Sequence, residues 1–400
     1  MDHTALKRVF ADLHIHIGRT ENGDPVKISG SRDLTFRNIA HEAAVRKGIH
    51  LLGIIDCHAP GVQHDIMALL DSGEMSEAEG GGIRYKGTTI VLGAEIEVRD
   101  PGCGPAHHLA YMPTLEAMRQ FSGWMSRHMR NIGLSSQRIY VPARVLQEEV
   151  KGRGGLFIPA HIFTPHKSLF GSCSDTLQET LDPELVDAVE LGLSSDSMMA
   201  GWIPDLDGIP FVTNSDAHSI AKIGREYNAM HLAEPSYAEL RLALGGREGR
   251  SIAANYGLNP LLGKYHRTYC LNCGSLAGDE AAAERCPMCG SPKLVRGVMD
   301  RIEQLARFAG REQSHVSEGR PPYIYQVPLE FIPGIGKRSL DKLLERFGTE
   351  MAVLHDAAPE EIAAIVGAAA AEVIVSARQG TVELSSGGGG QYGKVARKRK

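Results

Sequence analysis

The sequence predicts an α/β fold: a closed or nearly closed barrel of seven strand-and-helix units, then a four-cysteine ribbon and a helical module. Three observations predict it. From Val9 to about residue 235, short apolar runs alternate with amphipathic stretches, the pattern of a parallel α/β protein. Four cysteines gather between residues 270 and 289, and beyond Pro321-Pro322 the text becomes a compact helical stretch at about 327–380.

The candidate strands, in order, are VFADLHIH, LLGIID, TTIVLGAEIEV, HHLAYM, LFIPAHI, AVELG and IPFVTNSDAH. Between the first two, residues 34–48 place Leu34, Ile39, Ala43 and Ala44 on one helical face, and residues 114–130 read as another helix. Seven such units suit a barrel better than a doubly wound sheet. Cys270-x2-Cys273-x12-Cys286-x2-Cys289 has the spacing of a four-thiolate Zn²⁺ site, with Gly274 and Gly290 supplying the tight turns after each pair. Four thiolates leave no open position, so this zinc is expected to be structural. The expected divisions are a barrel at 1–255, a ribbon at 256–300, a connector and helical module at 301–384, and a flexible basic tail at 385–400 that opens with SSGGGG.

Composition sets further bounds. Of 400 residues, 42% are apolar and 23% charged, which is ordinary globular composition with room for two to four domains. No apolar run nears the roughly 18–20 residues of a membrane span, and MDHTALKRVFADLHIH lacks a leader's apolar core. A cytoplasmic, nucleoid-associated location without membrane contact is expected. Cys57, Cys103 and Cys173 are scattered singly, which suggests no disulfide framework and fits a reducing compartment. The net charge of -5 hides an asymmetry: 24 Lys and Arg against 32 Asp and Glu up to residue 250, then 19 against 16. A basic C-terminal part hints at an anionic partner.

The polar residues at the strand ends are the most informative feature. His14 and His16 end the first strand on one face, and Asp56 and His58 follow the second. Glu95 and Glu97 lie in the third, His107 and His108 open the fourth, His161 follows the fifth, and Asp216 and His218 end the last. Buried imidazoles and carboxylates carry a desolvation cost that a cation offsets, and His with carboxylate ligation suits Zn²⁺, Mn²⁺ or Fe²⁺ in phosphate-ester hydrolysis.

DLHIH, IIDCH, GAEIE, HHLAY, PAHIF and NSDAHS resemble, in order and spacing, the motifs of the PHP (polymerase and histidinol phosphatase) superfamily over roughly residues 8–235. The resemblance implies a distorted (β/α)7 barrel and a centre of two or three divalent ions (Zn, Mn, Mg or Fe). It implies one metal on His14, His16, Glu95 and Asp216, and a second bridged by Glu95 and completed by His108 and His161. A third would lie near His58 and His218, although IGRTENGD supplies no further histidine after the first pair. Glu97 and His107 are the neighbouring alternatives to Glu95 and His108. Asp216, Glu95 and His218 are the expected catalytic residues, and Asp12 and Asp56 are expected to orient imidazoles from behind. The implied chemistry is metal-assisted hydrolysis, in which cations neutralise phosphodiester oxygens and acidify a water.

In FIPGIGKRSLDKLLERFG, Gly334 and Gly336 leave backbone N–H groups free at a helix start, next to Lys337 and Arg338. This resembles a helix-hairpin-helix, a non-specific grip on the DNA backbone, and Val366-Gly367-Ala368 looks like the decayed turn of a partner hairpin. Barrel, ribbon and hairpin in this order, with AHIFTP, ELGLSS and NSDAHS, resemble the endonuclease Q family. That resemblance implies nicking of DNA on the 5′ side of deaminated bases or abasic sites, with Ser194 and Asn214 as lesion-binding residues. It also implies a monomer acting on damaged double-stranded DNA, with a replication or repair protein as a further partner. The alternative is a PHP-type phosphatase acting on a sugar or amino-alcohol phosphate.

Overall fold

A computed structural model describes residues 5–263, 265–276, 284–332, 334–379, 384–385 and 394–395. β1 (Lys7–Ile15) leads through α1 (Phe36–His41), which continues as a π-helical turn (Glu42–Lys47), to β2 (Leu51–Ile54) and α2 (Pro60–Asp71). A small hairpin of β3 (Ser76–Glu77) and β4 (Ile83–Tyr85) precedes β5 (Thr88–Val98), β6 (Ala106–Met112), α3 (Leu115–Met125), α4 (Ala143–Gly152) and β7 (Leu156–Pro159). Then come β8 (Val189–Glu190), α5 (Ser197–Ala200), β9 (Phe211–Val212), β10 (Tyr227–Leu232), α6 (Tyr237–Leu244) and β11 (Ser251–Gly257).

The seven candidate strands correspond to β1, β2, β5, β6, β7, β8 and β9. The first five form one ladder in that order, and β8 pairs with β9. Loop bonds close the ring: Ile162 N–H donates to the Glu190 carbonyl (2.9 Å), and His16 N–H to that of Ala217 (3.1 Å). The helix expected at 34–48 starts where Thr35 caps the Asn38 N–H and stops at Gly48, whose φ of 79° is left-handed. The helix expected at 114–130 is capped by Thr114 and ends at Met125.

The strands are not all parallel, which corrects the sequence expectation. β1/β2, β2/β5 and β8/β9 are parallel, whereas β5/β6 and β6/β7 are antiparallel. Only residues 99–105 link β5 to β6, and a parallel crossover needs about a dozen or more. The reversal brings the start of β6 to the mouth where β1, β2 and β5 end. Two clusters of buried apolar side chains fill the space inside the barrel and beneath its helices, and one of them continues into the C-terminal helices through residues such as Ile302, Leu343 and Ile374.

Beyond the ring, β10 pairs antiparallel with β1, and β11 antiparallel with β10. The C-terminal part holds β12 (Tyr269–Cys270) paired with β13 (Leu294–Val295), α7 (Val298–Phe308), β14 (Tyr323–Tyr325), α8 (Lys337–Phe347), α9 (Glu350–His355), α10 (Pro359–Val366) and α11 (Ala368–Arg378). β14 lies between Pro321-Pro322 and the helical module expected at about 327–380, where no strand is expected; it pairs parallel with β11 and extends the barrel's own sheet. α9 also docks on the barrel, through a buried Lys47–Glu350 ion pair (3.0 Å) and a Tyr227–His355 hydrogen bond (2.7 Å). Residues 384–385 pair with 394–395, and the rest of the tail expected at 385–400 lies outside the described residues. Among the described residues no helix is long and apolar enough to cross a membrane.

Candidate metal centre

The site is organised around one carboxylate. Glu95 and Glu97 alternate with apolar residues along β5, so both point to the same side of the sheet. Glu95 Oε1 lies 2.7 Å from His107 Nδ1, 3.3 Å from His161 Nε2 and 3.7 Å from His14 Nε2. Its Oε2 faces His16 Nε2 at 3.6 Å and Lys27 Nζ at 3.3 Å. Asp216 Oδ1 stands 3.5 Å from the Nε2 atoms of His14 and His16 and from His218 Nδ1. Three ligand groups result: His14 with His16 and Glu95; His16 with Asp216 and His218; and Glu95 with His107 and His161. Sharing Glu95 and His16, they mark adjoining positions.

A layer of buried acceptors turns the imidazoles toward this centre. Glu190, at the end of β8, accepts from His14 Nδ1 (2.9 Å), the His161 N–H (2.8 Å) and the Asn214 amide (2.8 Å). Asp56 accepts from His16 Nδ1 (3.0 Å) and the Ile17 N–H (2.8 Å). An ionised carboxylate only accepts, so each Nδ1 carries a proton and each Nε2 is the nitrogen turned to the centre, where a bound cation would take the place of an Nε2 proton. His161 and Asp216 both hold left-handed backbone, at φ 30° and 44°, the kind of local strain that functional sites retain when their surroundings enforce it.

The electrostatics favour cations. Burial opposes a charge on His14, but Glu190, Asp216 and Glu95 outweigh it and raise its pKa to about 10. Burial alone would raise the pKa of Glu95, yet His107 and Lys27 hold it well below the usual carboxylate range. Asp216 is held low in the same way by His14 and His16. His14 Nε2, His107 Nε2 and His161 Nδ1 are buried without hydrogen-bond partners. Unpartnered imidazole nitrogens beside ionised carboxylates are the donor set a divalent ion takes, so the residues fit the implied metals.

Several sequence expectations change. The histidine that meets Glu95 is His107, because β5 pairs Glu97 with His107 and Ile96 with His108. His108 therefore faces away, stacked on Phe157 with ring centroids 5.0 Å apart, and burial lowers its pKa to about 3. His58 joins none of the three groups; its Nε2 lies 3.4 Å from the Leu134 carbonyl. Asp12 holds the backbone N–H groups of Ser215 (3.0 Å) and Gly224 (2.8 Å) and contacts no imidazole nitrogen, and Glu190 takes the role expected of it. Asn214 Oδ1 accepts from the Leu13 N–H and the Asn228 amide, and its Nδ2 donates one N–H to Glu190, leaving the other N–H uncommitted on the cavity wall. Ser194 lies on the wall of the cavity in front of the centre.

Reasoning from sequence missed Glu190, Lys27 and Ser136. Lys27 donates to Ser136 Oγ at 2.6 Å, and Ser136 bonds Glu95 Oε2 in turn. Glu190 had a signal, a lone carboxylate inside the apolar run AVELG; Lys27 and Ser136 sit in loops and had none. The cavity measures 490 Å³, and its far wall includes Tyr265, on the segment entering the ribbon.

In the ribbon the four thiols converge, with Cys270 and Cys289 sulfurs 3.7 Å apart and those of Cys273 and Cys286 3.6 Å apart. Gly274 and Gly290 have φ of 71° and 70°, and each N–H returns to the carbonyl of the first cysteine of its knuckle at 2.8 Å. In the helical module, Gly334 has a φ of 96°, Gly336 caps α8, and Lys337 and Arg338 are exposed. The segment before this turn is a 3₁₀ turn at Leu329–Phe331 in place of a full helix. Gly367, at φ 85°, joins α10 to α11.

Known proteins share this architecture. A family profile described as PHP-associated matches residues 205–251. An uncharacterized protein, YqxK of Bacillus subtilis (strain 168), is 52% identical over 98% of this chain and 100% of its own length. The lesion-specific endonuclease PfuEndoQ from Pyrococcus furiosus superposes with a TM-score of 0.84 at 32% identity, over 97% of this chain and 95% of that one. Endonuclease Q in complex with a 27-mer duplex substrate, an abasic lesion at its active site, superposes with a TM-score of 0.82 at 32% identity, over 97% and 96%. Since that identity extends over nearly the whole length of both chains, the chain belongs to the endonuclease Q family of metal-dependent endonucleases.

Proposed function

We propose that the protein is a DNA repair endonuclease that hydrolyses the phosphodiester on the 5′ side of a deaminated base (uracil, hypoxanthine or xanthine) or an abasic site. One observation carries this reading: the ligand cluster on Glu95 opens onto a cavity that it shares with Tyr265, at the entrance to the C-terminal part. A centre placed so meets a substrate held by both parts of the chain, and the endonuclease Q of known structure carries its lesion duplex at the active site. In the division of labour we infer, residues 1–255 catalyse, while the ribbon at 256–300 and the module at 301–384 hold the duplex.

His14, His16, Glu95 and Asp216, together with Glu95, His107 and His161 and with His218 adjacent, would hold two or three divalent ions, which would supply Lewis-acid neutralisation of phosphate charge and activation of a water. Glu190 and Asp56 fix the imidazole tautomers. Lys27 adds a fixed positive charge beside Glu95, where it can meet a phosphate oxygen. Gly334, Gly336, Lys337 and Arg338 bind backbone phosphates away from the lesion, and Ser194 contacts the extruded base. Zn²⁺ in the four thiolates supplies fold.

The test is a gel assay of a duplex with one deoxyuridine or deoxyinosine, in parallel with p-nitrophenyl phosphate turnover. A nick 5′ of the modified nucleotide, leaving a 3′-hydroxyl and a 5′-phosphate, is expected. Rapid turnover of the small ester with an untouched duplex would overturn the reading in favour of a phosphatase.

A further inference from the structure

Among the large apolar side chains of the described residues, Ile28 is the most exposed, at 81%. It stands at the apex of a hydrogen-bonded turn in which the Gly30 N–H returns to the Lys27 carbonyl (2.9 Å). The preceding residue, Lys27, points the opposite way, with its ammonium 3.3 Å from Glu95. The turn is firmly footed: Lys27 N–H bonds the Ile17 carbonyl (2.9 Å), Ser135 N–H the Val26 carbonyl (3.0 Å), and Ser31 N–H the carbonyl of His218 (2.8 Å). Gly18 and Gly30 allow backbone contact beneath it, since a Cβ on Gly18 would sit 1.9 Å from the Ser31 oxygen. An isoleucine is thus held in water on a hydrogen-bonded turn between Lys27 and Ser29, both of which line the cavity. Ser29, the other central residue of the turn, lines the cavity with Lys27.

We propose that Ile28 is the wedge that enters the base stack when the damaged nucleotide leaves it, a role that rests on the lesion-endonuclease reading above. With the scissile phosphate beside Lys27 and Glu95, the side chain of Ile28 reaches the neighbouring base step. Apolar wedges of this kind fill the gap left by unstacking, and aliphatic side chains serve in that role. A rigid mount matters because the side chain loses little freedom on insertion. The other strongly exposed apolar residues, Met288 at 74% and Phe308 at 68%, belong to the ribbon and to α7 and are not sequence neighbours of a residue touching the centre.

The experiment compares Ile28→Ala and Ile28→Leu with the native protein on one deoxyuridine oligonucleotide, single-stranded and in a fully paired duplex. Because Ile28 packs against no core, both variants should fold as the native chain does. Ile28→Ala should lose about tenfold in kcat/KM on the duplex, a loss several times larger than on the single strand, and Ile28→Leu should recover most of it. A second readout places 2-aminopurine next to the lesion in the duplex. Its fluorescence should rise on binding the Asp216→Asn protein and rise far less when Ile28→Ala is added. Equal effects on both DNAs, or none on the duplex, would overturn the wedge while leaving the endonuclease reading intact. Failure of the native protein to cut either DNA would overturn the reading itself.

Discussion

The barrel and the part of the chain after residue 255 hold their metal-binding residues by different means. In the barrel the candidate ligands sit on strands or on the loops just beyond their ends, and the buried carboxylates Glu190 and Asp56 orient His14 and His16. In the ribbon the thiols rest on two strands of two residues each, β12 and β13, with Leu271, Leu276 and Met288 exposed around them. The first region is preorganised by the protein; the second has little secondary structure besides its four thiols to organise it. Removing metal should cost the barrel its chemistry and the ribbon its fold.

The sharpest way to break this comparison is Asp216→Asn. Nicking should fall by at least the roughly 10²–10³ that one preorganised electrostatic group is worth, while thermal unfolding of the barrel stays put. A collapse in Tm would show that the barrel, too, depends on metal for its fold. Cys273→Ala should release the ribbon's zinc and abolish tight duplex binding, since a structural site contributes on the order of 10 kcal/mol to its own folding. Metal analysis and a binding isotherm check both halves of that expectation. Glu190→Gln should cost about 10–100-fold in barrel metal affinity or in turnover, measurable by titration, because Gln offers only one acceptor oxygen to the three donors of His14, His161 and Asn214.

Replacing Lys337 and Arg338 with Ala should weaken binding to all duplexes alike and reduce the slope of log affinity against log salt by about 2. A changed lesion preference would contradict the assignment to phosphates. The smallest effect concerns Glu226, which is buried just before β10 and accepts from Thr213 (2.7 Å) and the Leu258 N–H (2.8 Å). Burial raises its pKa from 4.5 to about 8, so the folded protein keeps a proton that the unfolded chain has released. Its contribution to stability is complete below pH 4.5 and lost as pH rises toward 8, at a cost of a few kcal/mol at most. Urea unfolding of Glu226→Gln across that window should show a flatter pH profile than the native chain.

Much of this molecule is legible in its residues. Seven strands could be read because their apolar runs are bounded by polar ends, and the ligands could be read because those ends carry His, Asp and Glu. The direction of β6 was less accessible, as it depends on the length of the 99–105 link more than on β propensity. The choice between His107 and His108 is a matter of parity: β6 alternates faces, and only its register against β5 tells which face Glu95 shares. Lys27 and Ser136 reach the centre from loops, where spacing carries no period. β14 escaped because YIY after two prolines is too short to announce a strand.

β14 has one more consequence. By lying along β11, it covers a row of backbone N–H and C=O groups that would otherwise be open to another chain. Cutting the protein after the barrel would uncover that edge on a seven-residue strand. Such a fragment should self-associate in solution, so the catalytic barrel is expected to remain monodisperse only when the polypeptide continues at least through Tyr325.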